Sequence, residues 1–154
     1  MITWIDEIIT GLIETVGSRN VYDILSYLNI YKLAVEPDNI LLQGNSAVYN
    51  RVGAFECIYY RNDIPNIEYV LAHEIGHAIL HVEEQEMFYN PLLNKGKLER
   101  EANYFATKLL YSDLQIEDGI ETYEQLSNML GIEQENLKYL EIEGVNYEDG
   151  CCLL

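Results

Sequence analysis

The chain has 154 residues, 49% of them hydrophobic and 23% charged, a composition that suits one soluble globular unit long enough to bury a core. Nine Lys and Arg against 26 Asp and Glu leave a formal net charge of −17. Nonspecific nucleic-acid binding and adhesion to anionic membranes both begin with attraction to phosphate, so this charge argues against them and favours basic protein partners. No apolar run reaches the length of a membrane span. The opening residues, with Asp6 and Glu7 where a secretory signal carries its apolar stretch, lead us to expect a cytoplasmic protein with no membrane partner.

In chain order, Trp4, Ile5, Ile8, Ile9, Leu12 and Ile13 fall at helical spacing over residues 3–16, and Gly17 ends that segment. Ser18 is the expected cap of a second helix running through Val21, Ile24, Leu25 and Leu28. From residue 32 the pattern becomes short and β-prone: 32–36, 40–42, 47–49 and 55–60, separated by Pro37-Asp38-Asn39, Gly44-Asn45-Ser46 and Gly53. These runs predict a small, mostly antiparallel sheet of three or four strands. Pro65 then opens a helix through Ile67, Val70, Leu71, Ile75, Ala78, Ile79 and Leu80, apolar around most of its circumference and therefore buried. After a polar connector over 83–97, another helix at about 97–111 turns Leu98, Ala102, Phe105, Ala106 and Leu109 inward. Residues 112–150 hold eleven acids against one base, Lys138, and read as two short helices joined by Gly131, Thr122–Leu130 and Gln134–Leu140. The expected class is α+β, with residues 1–112 as the main domain and 113–154 as an acidic helical extension packed on it.

The three cysteines are too few and too odd for a disulfide framework. Cys57 lies in an apolar, strand-like run and reads as a small core residue. Cys151-Cys152-Leu153-Leu154 formally matches a prenylation box, but Tyr147-Glu148-Asp149-Gly150 stands where basic residues usually accompany such an anchor, so a frayed tail is the expectation.

All three histidines lie within nine residues: His73, His77 and His81. His73 and His77 are one turn apart on the buried helix, so both rings can point at one spot, and Glu74 lies one residue round from that face. This is the HExxH arrangement, two zinc ligands and a general base that takes a proton from water at the metal. Without a metal, two histidines and a glutamate would interrupt an apolar helix and require buried partners. His81 stands about 12 Å from His73 along a helix, so it is better read as a hydrogen-bond donor behind a ligand, or as a helix-end residue, than as a third ligand.

With no further histidine in the chain, the third ligand must be a carboxylate or a thiolate. The segment Glu99-Arg100-Glu101-Ala102-Asn103-Tyr104-Phe105-Ala106 supplies it. Glu99 is the favoured residue, because Asn103 one turn on could hold a ligating histidine by its other ring nitrogen. Glu101 remains the alternative.

The run Tyr69-Val70-Leu71-Ala72-His73-Glu74-Ile75-Gly76-His77-Ala78-Ile79-Leu80-His81, followed by Glu99-Arg100-Glu101-Ala102-Asn103-Tyr104-Phe105-Ala106 and Leu109-Leu110, resembles the ImmA/IrrE metallopeptidase family over roughly residues 20–112. The resemblance implies one Zn2+ per chain on His73, His77 and Glu99, a gluzincin-like set, with Glu74 as the catalytic base. It further implies a substrate: a helix-turn-helix repressor of a phage or mobile element, a basic protein that the acidic surface would attract. Many relatives carry a Met-Pro pair after the second motif, whereas here Leu109-Leu110 leads into Tyr111-Ser112-Asp113. Residues 123–132 have the helix, glycine, helix pattern of a helix-turn-helix, but their acidity disfavours DNA contact and suggests packing or docking. The expected function is a zinc endopeptidase, with the strand 55–61 as the edge along which an extended substrate adds. The rivals are a non-catalytic antirepressor that sequesters its partner and a structural zinc protein or acidic DNA mimic. Thirteen tyrosines leave the oxyanion-stabilising residue open.

Overall fold

Apolar residues at helical spacing become buried helix faces in the computed structural model, which describes residues 3–83 and 94–145. Residues 84–93 of the expected connector and the Cys151–Leu154 end lie outside them. The first helix, α1 (Thr3–Val16), buries Ile5 and Ile9, and Gly17 follows it at φ +76°. The second, α2 (Val21–Leu28), buries Val21, Ile24 and Leu25. Its cap is Asn20 rather than Ser18. The Asn20 side chain accepts from the backbone N–H groups of Tyr22 and Asp23, and Ser18 instead holds Asn20 by accepting from its N–H at 3.0 Å. Both residues can cap, and the one adjacent to the first helical residue takes the position.

Three strands follow: β1 (Tyr31–Val35), β2 (Ala47–Val52) and β3 (Phe55–Arg61), in the order β1-β3-β2. β2 and β3 form an antiparallel hairpin across Gly53 at φ +61°, while β1 runs parallel to β3, Tyr31 opposite Cys57 and Val35 opposite Arg61. The sheet is therefore mixed, one antiparallel pair and one parallel. The run at 40–42 is not a strand. Ile40–Leu42 forms a 3-10 turn, capped by the Asn39 side chain and ended by Gln43 in the left-handed region at φ +51°. A three-residue run between a strong cap and a left-handed stop closes on itself more readily than it pairs.

The third helix, α3 (Ile67–Leu80), starts two residues after Pro65, because Asn66 caps it by accepting from the Tyr69 N–H. It buries Leu71, Ala72, Ile75 and Ala78 together with Glu74 and His77. The fourth, α4 (Lys95–Tyr111), lies against α3 with Leu98, Ala102, Phe105, Ala106 and Leu109 inward. The two approach closely at Gly76, where an added Cβ would meet Phe105 Cδ1 at 3.2 Å and Ala102 Cα at 3.3 Å. α1 is tied to α4 by the Tyr104 hydroxyl, which donates to the Asp6 carboxylate at 2.8 and 2.9 Å.

Thr122 and Gln125 make a capping box for α5 (Tyr123–Leu130), which ends at Gly131 at φ +69°. α6 (Gln134–Leu137) is a single turn, shorter than its apolar spacing suggests. Leu126, Ile132, Leu137 and Leu140 form a second apolar cluster against which Tyr69 of α3 and Tyr111 of α4 pack. The Asn66 amide donates to Leu130 O at 2.8 Å, linking the start of α3 to the end of α5.

Candidate metal centre

Four-residue spacing on α3 brings His73 and His77 to one side of the helix, with their Nε2 atoms 3.1 Å apart. Glu99, in the second turn of α4, completes a triangle: Oε2 is 3.3 Å from His73 Nε2 and Oε1 is 3.2 Å from His77 Nε2. One ligand atom from each of the three residues falls within 4.8 Å of the others. Ligands held at ~2.1 Å around a tetrahedral ion stand ~3.4 Å apart, so the triangle has the size of one face of a zinc coordination sphere.

The donor chemistry fits as well. His73 Nδ1 lies 2.8 Å from Asn103 Oδ1. An amide oxygen only accepts, so the ring proton sits on Nδ1 and Nε2 presents its lone pair to the triangle. Lone pairs from two imidazoles and a carboxylate converging at this distance repel one another unless positive charge stands between them. The titration shifts carry the same message. The His73 and His77 rings beside it hold the Glu99 carboxyl far below the ordinary carboxylate range, against its partial burial, so the site favours positive charge next to this carboxylate. Burial pulls the His73 imidazole down, yet Glu99, Glu74 and Asn103 together leave it above its usual value.

Glu74 points beside the triangle rather than into it. It is buried, and its Oε2 accepts from the Tyr49 backbone N–H at 2.8 Å. Burial raises the Glu74 carboxyl above its usual value, with the neighbouring histidines opposing the shift, which makes it a stronger proton acceptor than a solvated glutamate.

The triangle and Glu74 form the floor of a cleft of about 820 Å³ with β2 residues Ala47 to Arg51 along one side. Arg61 N donates to Ser46 O, so residues 46, 48, 50 and 52 present their backbone groups to β3, while 47, 49 and 51 turn theirs outward. The Tyr49 N–H on Glu74 is one of these outward groups. The strand expected as a substrate edge, 55–61, is instead the central strand, with β1 and β2 occupying both its sides. Among the described residues β2 pairs with β3 alone, and its other edge faces the cleft.

His73, Glu74, His77 and Glu99 thus come together as the sequence suggested. Glu101 does not join the triangle; its Oε2 lies 3.0 Å from His81 Nε2, and His81 Nδ1 lies 2.9 Å from His77 Nδ1. Sequence reasoning placed His81 behind a ligand but missed Glu101 as its partner, and it missed the Tyr49 backbone group on Glu74. No residue type marks a backbone contact. The pairing of Glu101 with His81 was signalled only by a second acid on the same helix, two positions from Glu99.

A family model described as the IrrE N-terminal-like domain (peptidase M78) matches residues 45–128, a span that contains β2, β3, α3 and α4. A curated relative, Metallopeptidase ImmA of Bacillus subtilis (strain 168), is 28% identical over 115 residues. That match covers 73% of this chain and 66% of the relative, just under two thirds of its length. No solved structure matches.

Proposed function

The chain belongs to the IrrE N-terminal-like family of peptidases, and from that membership and the geometry of its cleft we propose that it is a zinc-dependent endopeptidase. His73 and His77, each through Nε2, and Glu99, through its carboxylate, are the residues that would hold the ion. When bound there, zinc supplies Lewis acidity to the scissile carbonyl and to the attacking water. Glu74 takes the proton of that water and delivers it to the departing amine. Its Oε2 is held by the Tyr49 N–H, which fixes the carboxylate at the edge of β2 and leaves Oε1 to receive the proton. An extended substrate segment adds alongside β2, where the outward backbone groups of Ala47 and Arg51 can pair with it.

The observation that carries this reading is the close approach of the His73, His77 and Glu99 ligand atoms, with a buried, basic Glu74 beside them at the outer edge of β2. A site serving only to staple the fold has no use for a buried carboxylate at that position. The partner is a basic protein of the helix-turn-helix repressor class, carried by a phage or mobile element, and the encounter takes place in the cytoplasm. The net charge of −17 supports such a partner, since a DNA-binding protein presents a positive surface.

The test is incubation of the zinc-loaded protein with basic helix-turn-helix repressors, with fragments read by mass spectrometry. Wild type is expected to cut one of them. Glu74→Gln should retain zinc and lose cleavage by about 10²- to 10⁴-fold, and chelation should abolish cleavage until zinc is returned. Release of the repressor from DNA by Glu74→Gln, with no fragments formed, would contradict the proposal and identify sequestration instead.

A further inference from the structure

Behind the metal triangle lies a second buried group of ionisable side chains that hydrolysis does not use. His81 is 1% exposed and Glu101 7%. His81 is the C-cap of α3, where the chain leaves helical geometry at φ −120° and ψ 39°, and its ring turns back beneath His77. The contacts form a line: His77 Nδ1 to His81 Nδ1 at 2.9 Å, then His81 Nε2 to Glu101 Oε2 at 3.0 Å. Lys97 Nζ is 3.7 Å from the other Glu101 oxygen, at the exposed end. Two apolar side chains of similar volume would fill this space without the desolvation cost of a buried carboxylate and imidazole.

We infer that Glu101 and His81 are positioning residues that set which nitrogen of His77 carries its proton, and so hold His77 Nε2 open as a metal ligand. A carboxylate oxygen accepts, so the 3.0 Å contact with Glu101 Oε2 places a His81 proton on Nε2. His77 keeps Nε2 open for a metal only with its own proton on Nδ1, and the 2.9 Å contact then makes His81 Nδ1 the acceptor. That leaves the Nε2 lone pair of His77 facing His73 and Glu99. If His81 bore its proton on Nδ1 instead, it would donate to His77, and the His77 proton would lie inside the triangle where the ion belongs. The other ligand is fixed differently: His73 is oriented by a neutral amide, Asn103, at 2.8 Å. Each ligating ring therefore has its own partner on α4, Asn103 directly for His73 and Glu101 through His81 for His77. This inference rests on the zinc site proposed above and goes beyond it to residues that touch neither metal nor substrate.

The experiment has two arms, both on the full chain. Zinc affinity is measured by competition with a chromophoric chelator for wild type, His81→Phe and His81→Asn, each checked for folding by thermal denaturation without metal. In Asn, Oδ1 stands where His Nδ1 stood and can accept from His77. His81→Phe is expected to weaken zinc binding by about 10- to 100-fold and His81→Asn to recover most of that loss. Long-range ¹H–¹⁵N correlation on zinc-free wild type supplies the second arm, which depends on no variant. The expected pattern is a proton on Nδ1 of His77 and on Nε2 of His81.

Equal affinity in all three proteins, or equal loss in Phe and Asn, overturns the inference. So does a His81 that carries a proton on Nδ1, alone or together with Nε2. A wild type that binds no zinc overturns the metal site itself, whereas zinc binding that is indifferent to His81 leaves the site standing and removes only the positioning role.

Discussion

Glu99 and Glu101 stand two positions apart on α4 and turn to different partners, Glu99 to the paired His73 and His77 Nε2 atoms and Glu101 to His81. Residues two apart on a helix do not share a face, so one acid reaches the cleft while the other is buried behind the ligands. Burial has a titratable consequence further along α3 as well. The Tyr69 hydroxyl, packed between the two apolar clusters and 3.4 Å from Thr107 Oγ1, is pushed up to about 12, chiefly by desolvation. A folded-state pKa above the unfolded value of 10 means that the folded chain binds this proton more tightly. Its stabilising effect is complete below pH ~10 and is lost as pH rises from there toward ~12. Denaturant midpoints of wild type should therefore fall between pH 9 and 11 (~ two units spanning the unfolded pKa). Tyr69→Phe should flatten that decline. An unchanged slope would show that the Tyr69 hydroxyl is solvated in the folded chain.

At the scale of elements, the metal triangle depends on how near α4 can come to α3, since Glu99 is on one and the histidines on the other. Gly76 permits that approach. Gly76→Ala sets a Cβ 3.3 Å from a backbone atom of Ala102, which cannot swing aside as a flexible side chain would. We expect a net loss of about 1 kcal/mol, overpacking offset in part by the better helix propensity of alanine. Gly11→Ala on α1, with nothing among the described residues within 4 Å of the added Cβ, should instead gain about 0.5–1 kcal/mol. Chemical denaturation of the two variants checks both signs, and equal effects would refute the close-approach account.

The helices were legible in the sequence because their evidence is local: apolar residues at 3.6-residue spacing, and two histidines and an acid within one turn and a half. Asn103 could be placed behind a ligating histidine for the same reason, being one turn beyond Glu99, and which of the two it holds came only with the fold. Strand order was not legible. Whether β2 or β3 forms the edge, and whether β1 pairs parallel, depends on contacts between residues as distant as Tyr31 and Cys57, which no local pattern encodes. The 3-10 turn at Ile40–Leu42 was misread because three apolar residues carry no period, and the deciding signal was the cap at Asn39.

Over the whole molecule the dominant property is charge. A net charge of −17 would draw in the basic partner proposed above over distances longer than any contact, and salt would screen that attraction. Cleavage of a basic repressor should fall at least ~10-fold in kcat/KM when ionic strength rises from about 50 to 500 mM. Cleavage of a short neutral peptide carrying the same scissile bond should change little. Equal salt effects on the two substrates would place the dependence in the cleft rather than in the field of the surface. The acidic segment around α5 and α6 packs its apolar side, Leu126 and Leu137 included, against Tyr69 and Tyr111, which keeps its acids on the surface where they contribute to this field.

The most direct test of the account is metal content. Zinc per chain should be measured on protein purified without chelators, for wild type, Glu99→Ala and Glu101→Ala. The expected result is close to one zinc per chain in wild type, its loss in Glu99→Ala, and its retention, more weakly held, in Glu101→Ala. A folded wild type without stoichiometric metal would contradict the central claim. Metal lost with Glu101→Ala but kept with Glu99→Ala would contradict the ligand set.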